Sequence, residues 1–147
     1  MVISAGCTSY FSNLTATKCN LKLNEYATFE KEGNCFSAQI IQLEGKSSSS
    51  RIYEIIVTIQ VKNTGNKPVS LMAYPRLSDA DGNQYPGNSI LMEMINPGGQ
   101  VTSKSSISIP TDESYTSLKK SAALSLRFQD TKLIPYEGTW DIDISTL

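Results

Sequence analysis

Histidine does not occur among the 147 residues, and its absence excludes more chemistry than any other feature of the chain. The commonest general base, the imidazole-assisted nucleophile and most catalytic zinc sites need a group that titrates near neutrality. Cysteine is scarce. Cys7, Cys19 and Cys35, with no second CxxC pair, fit no usual zinc spacing. An excess of either charge is also missing: 13 basic residues against 14 acidic ones leave a formal charge of -1. No whole-molecule field therefore draws nucleic acid or an anionic membrane, and nucleic acid is not expected as a partner. No stretch approaches the roughly 18 apolar residues of a membrane span, so no transmembrane segment is expected and the folded part reads as soluble. Long alanine- or leucine-rich segments are lacking as well, whereas 20 serines and 12 threonines suit strands with hydroxylated outer faces. The length allows one domain with a proper core.

What the chain does have is period two. Tyr53, Ile55, Val57, Ile59 and Val61 alternate with Glu54, Thr58, Gln60 and Lys62, as a half-buried strand requires, because successive side chains of a pleated chain face opposite sides. Val101, Ile107 and Ile109 share one face of a second strand, Leu124, Leu126 and Phe128 line a third, and Trp140, Ile142 and Ile144 alternate with Asp141, Asp143 and Ser145 in a fourth. The face of the Ile59 strand is expected to pack on one or the other of the last two sets. Turn signals stand between: Asn63-Thr64-Gly65-Asn66-Lys67-Pro68, Asp81-Gly82-Asn83, Asn96-Pro97-Gly98-Gly99 and Glu137-Gly138. Adding Phe36 to Leu43 and a weaker strand near Tyr26 to Glu30 predicts seven to nine short strands in a two-sheet antiparallel sandwich. Asp112 to Ser121 is the one place for a helical turn, and Gly45 to Ser50 reads as an exposed loop.

Three pieces in order carry a resemblance: Val57 to Gly65 (VTIQVKNTG), Leu77 to Tyr85 (LSDADGNQY), and Asn96 to Val101 (NPGGQV) leading into Ile107 to Pro110. Together they resemble a family of immunoglobulin-like domains on secreted and lipid-anchored proteins of bacteria and archaea, similar to a small secreted antigen of mycobacteria. The likeness spans roughly residues 26 to 128. It implies an all-β, immunoglobulin-like fold and an extracellular or cell-surface setting, and it brings no catalytic residues and no cofactor.

That setting bears on the cysteines. A bridge between Cys19 and Cys35 would enclose fifteen residues and contribute roughly 3 kcal/mol in the chain-entropy account, against the alternative of two buried free thiols. The bridge is the expectation. Ser4-Ala5-Gly6-Cys7 is similar to the end of a lipoprotein signal, but Ser4 stands where leucine is usual, and only Met1, Val2 and Ile3 stand where an apolar run of about 7 to 15 residues is needed. Cys7 reads either as a lipid-bearing cysteine or as an ordinary terminal one. Residues 1–20 are expected to be a tether and 21–147 the sandwich.

Three sets of side chains invite a functional reading. Asp79, Asp81 and Asn83 sit at positions one, three and five of a calcium-type loop, but position six is Gln84 and position twelve Ile90, so the sharp bend and the bidentate glutamate are missing. A hairpin turn joining Leu77 to Tyr85 is the preferred reading, with a weak calcium site as the alternative. Asp141 and Asp143 fall on one face of a strand, about 7 Å apart, and read as a solvated face. Ile90 to Ile95 is apolar on both sides, with Met92 and Met94 either buried or part of a partner-binding surface. The function expected is a non-enzymatic extracellular domain that binds or presents an unknown protein or surface polymer. The alternative is a secreted enzyme or accessory domain acting on surface polymers through carboxylates.

Overall fold

The computed structural model describes residues 16–147. Ten strands, one helix and a terminal helical turn follow each other along the chain: β1 (Ala16–Leu21), β2 (Ala27–Lys31), β3 (Asn34–Ser48), β4 (Arg51–Asn63), β5 (Val69–Asp79), β6 (Gln84–Pro86), β7 (Ile90–Ile95), β8 (Gln100–Ser108), α1 (Asp112–Lys120), β9 (Ala122–Gln129), β10 (Pro135–Ile142) and the turn Ile144–Thr146. Ten strands exceed the seven to nine expected, because the short β6 and β7 are separate and β1 is taken from the supposed tether. β1 pairs parallel with β10, Ala16 opposite Tyr136 and Leu21 opposite Trp140. The rest of the tether and Cys7 lie outside the described residues.

The strands form a sandwich of two sheets. One holds β1-β10-β9-β5, with β6 and β7 sharing the free edge of β5; the other runs β2-β3-β4-β8. Alternation drives the two together, since each sheet has one apolar face to hide. Ile55, Val57, Ile59 and Val61 from β4 meet Leu124, Leu126 and Phe128 from β9 and Trp140 from β10 in one continuous core, all fully buried. Phe29, Phe36, Phe128 and Tyr136 close one end with ring centroids 4.9 to 6.2 Å apart, mostly edge to face, the arrangement that ring quadrupoles favour.

Two expectations fail for the same reason, an extra residue in a ladder. Tyr53 shares the parity of Ile55 yet is exposed, while Ile52 is buried. Opposite the step from Lys46 to Ser47, β4 spends two positions, Glu54 to Ile52, and the residue between them turns outward. In β7, Val69 of β5 faces Ile95 but Leu71 faces Met92, so one residue too many lies between 92 and 95. Met94 takes it up at φ 49, its amide donating to Ser70 Oγ at 2.9 Å. Gly45 to Ser48 is not a loop. β3 and β4 continue as a ladder to Ser48↔Arg51, and only Ser49 and Ser50 turn. Helix α1 stands where expected, started by Thr111, whose hydroxyl accepts from Ser114 N at 3.0 Å.

Candidate functional site

The calcium-type loop is a hairpin, with Leu77 opposite Tyr85. Asp79 is buried, and its oxygens are taken up by donors: Oδ1 accepts from the amides of Asp81 and Asn83 at 3.0 Å each, Oδ2 from Asn83 Nδ2 and Tyr85 Oη at 3.1 Å each. Burial raises its pKa, but these bonds outweigh it and hold the carboxyl below its usual value. Gly82, at φ 85, completes the turn. Asp79, Asp81 and Asn83 are therefore bonded as a turn is, with Asp79 Oδ1 taken by backbone amides of the turn and Oδ2 by the side chains of Asn83 and Tyr85.

The same device recurs. Asp130 Oδ1 accepts from Lys132 N at 2.8 Å and Ile134 N at 3.0 Å, and Oδ2 from Asn34 Nδ2 at 2.8 Å and Tyr136 Oη at 3.0 Å. In both corners a tyrosine six residues on from the aspartate locks the turn. Burial, with the Asp130 bond and charge adding to it, pushes the Tyr136 phenol up to about 12. Aspartate followed at that spacing by tyrosine is visible in the sequence, and reading it twice would have found both corners.

Asp141 and Asp143 do not share a strand. Asp141 is paired with Lys22 at 3.2 Å on the surface. Asp143 follows the end of β10 and caps the last turn, accepting from Ser145 N at 2.9 Å; those bonds to Ser145 hold its carboxyl below the usual value. Met92 and Met94 separate: the first is in the core at 1% exposure and the second is 64% exposed. They make no common surface. The Cys19–Cys35 bridge is not formed, and Cys35 is a free thiol with Sγ 3.1 Å from Thr64 Oγ1. Phe36 points into the core, so its neighbour Cys35 points away from it, and it cannot reach β1 in the opposite sheet. Among the described residues no group of three or more Cys, Asp or Glu could hold a metal ion.

The outer faces of the two sheets differ. Around Gln39 on the β2-β3-β4-β8 face polar side chains satisfy one another: Gln39 Nε2 donates to Tyr26 Oη at 2.8 Å and to Gln60 Oε1 at 2.7 Å, and Thr28 and Ser37 hydroxyls meet at 2.9 Å. Further along that face a more open and more polar cleft of about 440 Å³ is lined by Glu44, Lys46, Ile56, Lys104 and Ser106, with Lys46 paired to Glu54 at 3.7 Å. The other face carries a cleft of about 420 Å³ lined by Tyr74, Arg76, Pro86, Ser125, Arg127 and Gln129, within the roughly 300–1,000 Å³ of small-molecule sites. Register builds it. Tyr74 stands opposite Arg127 and Arg76 opposite Ser125 across β5 and β9, and Pro86 stands opposite Arg76 across β6. The two arginines are thus diagonal neighbours, roughly 7–8 Å apart at their backbones.

The cleft exists because the edge of β5 changes partner there. β7 pairs with it up to Ala73 and β6 from Arg76 onward, and Pro75, which has no N–H, fills the gap between them. Its carbonyl accepts from Gly87 N at 2.9 Å, and the next amide, of Asn88, donates to Ser106 O at 3.2 Å on the other sheet. The chain leaves the face at that point and opens the cleft. Arg76 is the unusual member. Its Nε is sealed from solvent without an acceptor, and no described residue pairs with its guanidinium. Glu137 stands opposite Arg127 on the neighbouring strand.

No family model matches the chain, and no curated protein matches it. Among solved structures it is similar to the secreted protein MPT63 from Mycobacterium tuberculosis, with 12% identity over 87% of this chain and 98% of that one and a TM-score of 0.49. It is also similar to the yjhA protein of Bacillus subtilis, with 16% identity over 82% of this chain and 99% of that one and a TM-score of 0.47. A third likeness is to β-glucosidase 3B from Thermotoga neapolitana, with 14% identity over 75% of this chain, a TM-score of 0.42, and only 16% of that enzyme's length covered. These are likenesses of fold. Among the described residues no helix is long and apolar enough to cross a membrane.

Proposed function

We propose that this chain is a non-enzymatic binding domain of the cell surface or the extracellular space, one of the immunoglobulin-like family its three motifs resemble. On this reading it holds its ligand on the outer face of the β1-β10-β9-β5 sheet. The observation that carries the reading is the cleft on that face, which sets an exposed aromatic ring, Tyr74, beside an arginine, Arg76, whose Nε is buried without an acceptor. The carboxylates support it from the other side. Asp79 and Asp130 are consumed in turns and Asp141 and Asp143 do not converge, whereas hydrolysis of surface polymers would ask for a facing pair.

The test is affinity electrophoresis of the protein through gels containing purified cell-envelope polysaccharides, with chromatography of the same polymers after long incubation. Retardation by at least one polymer with no shortening of its chains is expected. Shortened chains, or free migration through every polymer, would overturn the proposal.

A further inference from the structure

The chemistry of the cleft names a class of ligand, an inference that rests on the binding-domain reading above. Arg76 and Arg127 are diagonal neighbours on adjacent strands, and a guanidinium presents paired donors that match the two oxygens of a carboxylate. Arg76 has its Nε shut away from solvent with no acceptor while the half-buried side chain lines the cleft, so an anion bound there would meet a cation that no described residue compensates. The remaining lining is of another kind. Tyr74 is 42% exposed and shares the cleft with Pro86, giving an apolar wall for the C–H face of a ring, while Gln129 supplies an amide and the buried Ser125, its hydroxyl 3.3 Å from Thr139 Oγ1, lies at the floor.

Main-chain donors are missing. Pro75 and Pro86 have no N–H, and the amide of Gly87 is already given to Pro75 O at 2.9 Å. A peptide, which is usually gripped through its backbone, finds nothing to pair with here, whereas a sugar is gripped by side chains alone. We infer that the cleft binds an acidic sugar residue of a polysaccharide, its carboxylate on the terminal nitrogens of Arg76 and its ring against Tyr74.

The experiment is titration calorimetry of the whole chain with four probes: tetragalacturonate, its methyl ester, cellotetraose and sodium acetate. Tetragalacturonate should bind, and the methyl ester and cellotetraose should bind at least tenfold more weakly. Arg76→Gln and Tyr74→Ser should each weaken tetragalacturonate by tenfold or more, with thermal unfolding checked to show that both variants fold. Acetate should bind only weakly and be indifferent to Tyr74→Ser. Equal binding of acid and ester would overturn the carboxylate assignment, and acetate binding as tightly as tetragalacturonate would overturn the sugar. Absence of tetragalacturonate binding would overturn this inference while leaving the binding-domain reading to the envelope polymers, and shortening of tetragalacturonate would overturn that reading instead.

Discussion

Replacing Asn63 by alanine should be among the most damaging changes to this fold, although Asn63 lies in a turn motif. Its side chain is 1% exposed and makes three bonds. Nδ2 donates to Lys67 O and Ile95 O at 2.8 Å each, and Oδ1 accepts from Gly65 N at 2.9 Å. Its backbone adds two more, Asn63 N to Gly99 O at 2.9 Å and Gly98 N to Asn63 O at 3.0 Å. The residue therefore ties the turn after β4 to the turn between β7 and β8. Alanine would strand the carbonyl of the buried Ile95, at about 1–3 kcal/mol, and lose the net worth of two bonds nearer to solvent, about 0.5–1.5 kcal/mol each. We expect a total of about 2–6 kcal/mol. In urea, with m of about 2 kcal/mol/M for a small domain, the midpoint should fall by about 1–3 M at unchanged m. Asn63→Asp should be no better, since a carboxylate keeps the acceptor for Gly65 but has no donor for the two carbonyls. A midpoint within about 0.3 M of the parent for either variant would refute the reasoning.

Ile59→Ala, at the fully buried centre of β4, should cost about 2–5 kcal/mol in the same assay, and a loss under about 0.5 kcal/mol would mean that this face is not the core. Gly138→Ala should destabilise by about 1–3 kcal/mol, because its Cβ would lie 2.6 Å from the Trp140 ring; tryptophan fluorescence should shift as the 3.0 Å bond from Trp140 Nε1 to Glu25 O is disturbed. Stability should fall as the pH drops below the usual aspartate value of 3.8 and through the depressed value of folded Asp79, since a carboxyl held low contributes only while ionised; Asp79→Asn should flatten that part of the pH profile of the unfolding midpoint. Stability should also fall between about pH 10 and 12, where the unfolded chain releases the Tyr136 proton and the folded one keeps it, and Tyr136→Phe should remove that loss.

The sandwich was legible because its evidence is local. The period-two runs of β4, β9 and β10 and the turn residues between them each sit within a dozen positions. Turn chemistry was legible in the same way at Asp81-Gly82, and the helix at Asp112 to Lys120 through its spacing of Tyr115 and Leu118. What failed depended on a second strand. Tyr53 and Met94 are turned outward by ladder mismatches that involve β3 and β5, and no property of Ile90 to Ile95 alone tells where the extra residue falls. Residues 45 to 48 look like a serine-rich loop, yet extend a hairpin because Arg51 to Glu54 is there to pair with them. Of β5 only the end holding Leu77 was expected: Val69, Leu71, Ala73 and Leu77 alternate with Ser70, Met72, Tyr74, Arg76 and Ser78, but Pro75 in the middle argues against a continuous strand unless the gap between β6 and β7 is known. The cleft was missed altogether, since Tyr74, Arg76 and Arg127 are joined only by the register of β5 on β9.

The central claim, that this outer face is the binding face, is tested most directly by mapping backbone amide shifts on the isotope-labelled chain as an envelope polysaccharide that retards it is added. The account predicts that shifts gather at Tyr74, Arg76, Ser125, Arg127 and Gln129, with the amides of Gln39, Gln60 and Thr102 on the opposite face unmoved. Shifts gathered on the β2-β3-β4-β8 face, with the cleft silent, would contradict it.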